Sequence, residues 1–135
     1  MSKKISNLFL LLVFIQASHS LEEYIGKLWE NFPPATFLCG LISDDLHFGF
    51  VAINIGLFVF GILCWVFLVK TNHSLAIIVI WFWIILELIN GIGHPVWTII
   101  QKDYTPGVVT APFLFITAIL LLRQILIFNK KRSLK

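Results

Sequence analysis

Charge is scarce in this chain: 13% of its 135 residues are Asp, Glu, Lys or Arg, against 59% that are hydrophobic. No polar stretch is long enough to form a soluble domain beside the apolar runs. None of those runs alternates in the manner of a barrel strand, which leaves closed helices as the way to satisfy the backbone in lipid. Cysteine is limited to Cys39 and Cys64. They fall at opposite depths, which disfavours a disulfide, and lack the paired spacing of a zinc knuckle, so they read as small apolar fillers. An internal inverted repeat, the mark of many complete transporters, is also missing.

What the chain does have is four apolar runs, each long enough to cross a bilayer. A crossing needs about 20 residues, and the spans fall at about 5–29, 48–69, 75–94 and 108–128. The expected fold is all-α, a single integral membrane four-helix bundle over residues 1–135. Lys3, Lys4, Lys70, Lys130, Lys131, Arg132 and Lys135 sit in the tails and the second connection, so the positive-inside rule makes both termini cytoplasmic and 31–47 external. The net charge of +3 is mostly this topology. The basic tail reads as an anchor on anionic headgroups, with no nucleic-acid partner. Arg123 snorkels to the same interface.

Ionisable groups within such spans are costly and ask for a purpose. His19, Glu22 and Glu23 occupy i, i+3 and i+4 of the first span, so both carboxylates flank the imidazole on one helix face. In the third span Glu87, Asn90 and His94 form a second stripe, after which Pro95 is expected to end or kink the helix at His94. A mid-span carboxylate such as Glu87 must be protonated or paired.

A rise of ~1.5 Å per residue puts His19 and Glu87 about 18 to 21 Å above the cytoplasmic start, and Glu22, Glu23 and His94 about 25 to 28 Å above it. All five share the outer half of the membrane. Asn54 of the second span and Thr110 near the start of the fourth reach the same layer, so each helix has a polar group to offer one cavity. The blander reading makes Glu22, Glu23 and His94 interfacial residues. Asp44, Asp45 and His47 suit solvation better than a metal. Ala52 and Gly56 form a small-x-x-x-small step suited to close helix packing. Pro106 and Gly107 fit the central positions of a type II turn that would hold Tyr104 over the cavity mouth, where its plain role is that of an aromatic belt residue.

The start of the chain admits a rival reading. Lys3-Lys4, the apolar 8–15 and Ala17-Ser18-His19-Ser20 are also similar to a signal peptide, and cleavage after Ser20 would part His19 from both acids.

Taken together, His19-x-x-Glu22-Glu23, the later His94 and Tyr104-Thr105-Pro106-Gly107 resemble the HXXEE-domain family, and all three parts stand in that family's order. The resemblance argues against cleavage, since the processed chain would lose the defining histidine. It implies a small protein of the bacterial cytoplasmic membrane with no established activity, and so locates a site without naming a reaction.

The leading reading of the polar groups is a membrane-embedded enzyme for a lipid or other hydrophobic substrate. His19, Glu22, Glu23, Glu87 and His94 are the candidate ligands of a divalent metal ion, zinc or iron, and Glu23, Glu87 and Tyr104 the candidate catalytic groups. The order His-x-x-Glu, with Glu87 seven residues from His94, departs from the Glu-x-x-His steps of di-iron bundles and favours a mononuclear site. A metal-free acid and base pair is the second form of this reading. From other classes come a proton- or divalent-ion-coupled transporter, an accessory subunit and a purely structural partner of a larger complex.

Overall fold

The computed structural model describes residues 1–133, and every regular element among them is helical. Lys135 and the side chains of Lys131 and Arg132, used above to orient the chain, lie outside the described residues. Four helices are long and apolar enough to span a membrane. They are α1 (Lys3–Ile25), α4 (Leu46–Cys64, continued by a π-helical turn, Trp65–Val69), α5 (Ala76–Gln101) and α6 (Ala111–Ser133). Short helices α2 (Leu28–Asn31) and α3 (Pro33–Gly40) fill the connection between α1 and α4.

The first span is shorter than the apolar run suggested. Gly26 caps α1, and Lys27 takes a left-handed φ of 50°, which turns the chain into α2. A Cβ at Gly26 would lie 2.4 Å from the Pro106 ring, so the helix stops where the connection between α5 and α6 crosses it. The third span is longer than expected. Pro95 lies inside α5, which runs on to Gln101. Proline removes one backbone bond, and in membrane helices neighbouring helices and side chains make good such a loss.

The core is built from one face of each of three helices. Ile5, Phe9, Leu12 and Val13 of α1 meet Ile80, Trp83 and Ile84 of α5 and Leu114, Ala118, Leu121 and Ile125 of α6. The α6 positions recur every three or four residues, the spacing of a single helical stripe. Helix α4 lies at the margin and gives this core only Cys64, with Val69 from the π-turn. Its attachment is polar as well, for the Trp65 indole N–H donates to Ser6 at both Oγ (3.0 Å) and the carbonyl (3.2 Å). At the other end Leu28, Trp29, Cys39 and Phe50 form a second, smaller core beneath α2 and α3. Cys39 is thus a buried part of α3 rather than a loop residue, and burial, with the Glu23 charge adding, raises its thiol above the ordinary range. Both cysteines are free.

The small-residue step on α4 does not pack as its pattern suggested: nothing lies within 4 Å of a Cβ built on Gly56. The close approach occurs instead at Gly91, where a Cβ would stand 2.7 Å from Phe115 Cβ and 2.9 Å from its backbone nitrogen. Helix packing in lipid depends on such contacts because burial of apolar surface drives little association there. Gly91→Val is therefore expected to force α5 from α6 and cost roughly 2 to 3 kcal/mol. A lower melting temperature in detergent, with Gly56→Val unchanged, is the measurement that checks it.

The amino terminus, hydrogen-bonded to Asn72, shares a cleft with His73 and Phe128, so the start of α1 and the later turns of α6 lie at one end of the bundle. The turn between α5 and α6 packs at the opposite end, against Gly26 at the close of α1. The polar groups gather below it.

Candidate metal centre

His19 is fully buried on α1, one helical turn before Glu23, whose Oε1 lies 3.3 Å from His19 Nε2. From α5, His94 brings its Nε2 to 3.1 Å from the same Oε1. The two imidazoles meet edge to face, with centroids 4.6 Å apart. Each of the three residues offers a ligand atom within 4.8 Å of the others, and among the described residues this is the group that could hold a metal ion. Two ligands of a tetrahedral ion with bonds of about 2.1 Å stand roughly 3.4 Å apart, which is close to the two observed separations.

Glu22, adjacent in sequence, points elsewhere. Its Oε1 accepts from the Tyr104 hydroxyl (2.9 Å) and the Val109 N–H (3.0 Å), and its Oε2 from the Thr110 N–H (2.8 Å) and Thr110 Oγ1 (2.6 Å). The carboxylate is the clasp that fixes the α5–α6 connection to α1. Tyr104 is exposed and serves the same clasp. Burial, the bond to Glu22 and that acid's charge all raise its phenol above the ordinary range, which keeps it a donor.

The connection itself has the form its sequence predicts. Val108 N–H donates to the Thr105 carbonyl (3.3 Å) around Pro106 and Gly107, and Gly107 has a φ of 93°. The turn is closed further by Thr98 and Thr105, whose hydroxyls are hydrogen-bonded. Gly107 then lies directly on the two histidines: a Cβ there would stand 2.6 Å from His94 Nδ1 and 2.7 Å from His19 Cε1. The lid over the site has room for no side chain at this point.

The clasp also sets the chemistry of His19. Thr110 Oγ1 is 2.7 Å from His19 Nδ1 and 2.6 Å from Glu22 Oε2. A hydroxyl has one proton, and a carboxylate that already accepts three other bonds takes it, so Oγ1 accepts from His19 Nδ1–H. In a neutral ring this leaves the lone pair on Nε2, which faces Glu23 and makes no hydrogen bond. A lone pair and a carboxylate oxygen 3.3 Å apart repel unless a proton, which makes the contact an ion pair, or a metal cation lies between them.

Glu87, also fully buried, stands in a different group: it meets Asn90 Nδ2 at 3.4 Å and one end of the Gln16 amide at 2.7 Å. The structure thus gathers His19, Glu23 and His94, joins Glu22 and Tyr104 to them through Thr110, and sets Glu87 apart. Of the other candidates, Asp45 caps α4 through Phe48 N–H (3.2 Å) and His47 pairs with the Tyr24 hydroxyl (3.1 Å). Asn54 accepts from Ser20 rather than reaching the histidines. Gln16 escaped the sequence reading, although an amide three residues before His19 in an apolar span was its signal.

A fold of four spanning helices around a buried His/Glu cluster defines an integral membrane protein with a potential metal centre. The chain belongs to the family of proteins of unknown function with an HXXEE motif, whose sequence profile matches residues 10–122. No curated protein and no solved structure matches it.

Proposed function

We propose that this is a metalloenzyme of the bacterial cytoplasmic membrane, acting on a lipid or other hydrophobic substrate, with both termini in the cytoplasm. Zinc or iron is held by His19 Nε2, Glu23 and His94. The observation that carries the reading is the convergence of buried ligand atoms of His19, Glu23 and His94 within 4.8 Å of one another, with His19 Nδ1 engaged by Thr110 so that Nε2 faces Glu23. Three protein ligands leave a fourth position open, the arrangement of catalytic rather than structural zinc. His19 is closed off completely, whereas His94 and Glu23 each keep 7% of their surface accessible, so a substrate would reach a metal held there from their side.

A groove of about 300 Å³ reaches His94 from the flank of α5, between Phe32, Ile89, Asn90, Gly93 and Trp97. Its walls are apolar apart from Asn90 and His94, and its exposed Ile89, Val96 and Ile100 suit a mouth that faces lipid. This supports a substrate that comes sideways out of the lipid with an apolar chain in the groove and a polar group at the ion. Glu23 and His94 are the groups nearest that position, and the carboxylate oxygen not engaged with the histidines is the candidate base.

The test is elemental analysis of the protein purified in detergent without added chelator. One zinc or iron per chain is expected, lost in His19→Ala and kept in His47→Ala. A metal-free protein that also fails to take up zinc by calorimetry refutes the proposal. Bound metal that exchanges with isotopic zinc across a sealed vesicle would transfer the site to ion transport instead.

A further inference from the structure

Beneath the His/Glu group a second polar network crosses the bundle, and the direction of its hydrogen bonds bears on the state of Glu87. The Gln16 amide has one end 2.7 Å from Glu87 Oε2 and 3.2 Å from Oε1, and the other 3.3 Å from Ser20 Oγ. Ser20 Oγ lies 2.6 Å from Asn54 Oδ1, and Asn54 Nδ2 donates to the Phe50 carbonyl at 3.0 Å. That last bond settles which end of Asn54 faces Ser20. Since Asn54 presents an acceptor at 2.6 Å, the single proton of Ser20 goes to it, and Ser20 Oγ is left as an acceptor toward Gln16.

Two assignments remain for Gln16. If Glu87 is a carboxylate, the amide must turn its NH2 to Glu87. Its oxygen then faces the proton-less side of Ser20 Oγ at 3.3 Å, and its NH2 faces Asn90 Nδ2 at 3.5 Å. That leaves one acceptor pair and one donor pair unmatched inside the bundle, where unmatched groups are costly. If Glu87 carries a proton on Oε2, the contacts match in one direction, and the 3.2 Å approach of its Oε1 to Gln16 Oε1 is the single contact left without a proton. Glu87 O–H donates to Gln16 Oε1, Gln16 Nε2 to Ser20, Ser20 to Asn54 and Asn54 to Phe50, while Asn90 Nδ2 donates to both Glu87 and Gln16.

We infer that Glu87 is a proton-binding site, a neutral carboxylic acid held mid-span at the head of a one-way hydrogen-bonded chain from α5 through α1 to α4. His19 and His94 pair with Glu23 and Lys27 with Glu30, whereas the contacts of Glu87 are the amides of Asn90 and Gln16. The protonated acid also avoids a second buried anion near Glu23. Two helical turns, about 10 Å along α5, separate Glu87 from His94. The far end of the chain, Ser20 and Asn54, lines a groove of about 440 Å³ between α1 and α4. The chain therefore runs from a sealed acid to a lipid-facing wall.

The inference is independent of any metal and is read by infrared difference spectroscopy of the full chain in lipid nanodiscs. A carbonyl stretch of a protonated carboxylic acid is expected at neutral pH, lost in Glu87→Gln and kept in Glu23→Gln. In Gln16→Leu, which removes the acceptor of the acid proton, the band should move to higher frequency. Should Glu87→Gln fail to fold, the Gln16→Leu shift identifies the band by itself. A wild-type spectrum without the band, a band that survives Glu87→Gln, or one unmoved by Gln16→Leu overturns the inference.

Discussion

Gly107→Ala should destabilise the protein by roughly 2 to 4 kcal/mol, the sum of a left-handed alanine and an overpacked contact, and abolish retention of the metal proposed at the site. The backbone at this position has a φ of 93°, so any side chain is strained before contacts are counted. The added Cβ would then lie within 2.7 Å of atoms in both imidazole rings. Neither ring has slack: His19 is pinned by Thr110, and His94 sits on the interior face of α5. The turn must lift or the rings must part, and either change spoils the convergence on Glu23. Gly93→Ala, with nothing within 4 Å of its Cβ, is the control. Metal content and thermal stability measured on both variants check the prediction. A Gly107→Ala protein that keeps its metal would mean that the turn is not a rigid lid.

The number and class of the spans were legible because lipid leaves few alternatives: twenty apolar residues without alternation can only be a helix. The ends of the spans were not, because they depend on contacts distant in sequence. Gly26 ends α1 where Pro106 crosses it, and Pro95 stays helical inside α5. Residue type and depth were enough to select the pool from which the site is drawn, since His19, Glu23 and His94 are both intramembrane and ionisable. Role within the pool was hidden. Glu22 and Glu23 are neighbours of the same kind, and only the rotation of 100° between them on the helix sends one to the histidines and the other to the turn. Glu87 shares a stripe with His94, yet Gln16 of α1 faces it, and a pattern within one helix cannot report what the opposing helix presents.

That division of labour between adjacent glutamates leads to the sharpest prediction. Glu22→Ala leaves the Val109 and Thr110 N–H groups and the Tyr104 hydroxyl without their acceptor, and at a partly exposed site the loss is expected to be about 2 to 4 kcal/mol. Glu22→Gln is the more informative change, for it keeps size and one acceptor oxygen. Whichever way the new amide turns, its NH2 meets a backbone N–H, that of Val109 or that of Thr110. If it lies toward Thr110, the hydroxyl can accept from the amide and donate to His19 Nδ1, which moves the ring proton to Nε2. The histidine then presents N–H, not a lone pair, to the metal position. Partners of this kind typically account for 10- to 100-fold in metal affinity, so a loss of about that size is expected in Glu22→Gln. Thr110→Val, which deletes the relay hydroxyl and retains the carboxylate, should show a similar loss. Calorimetric zinc titration gives the affinity, and nitrogen NMR of labelled histidine reports the tautomer. Wild-type affinity in both variants, with His19 still protonated at Nδ1, would show that the clasp holds the loop without setting the ligand.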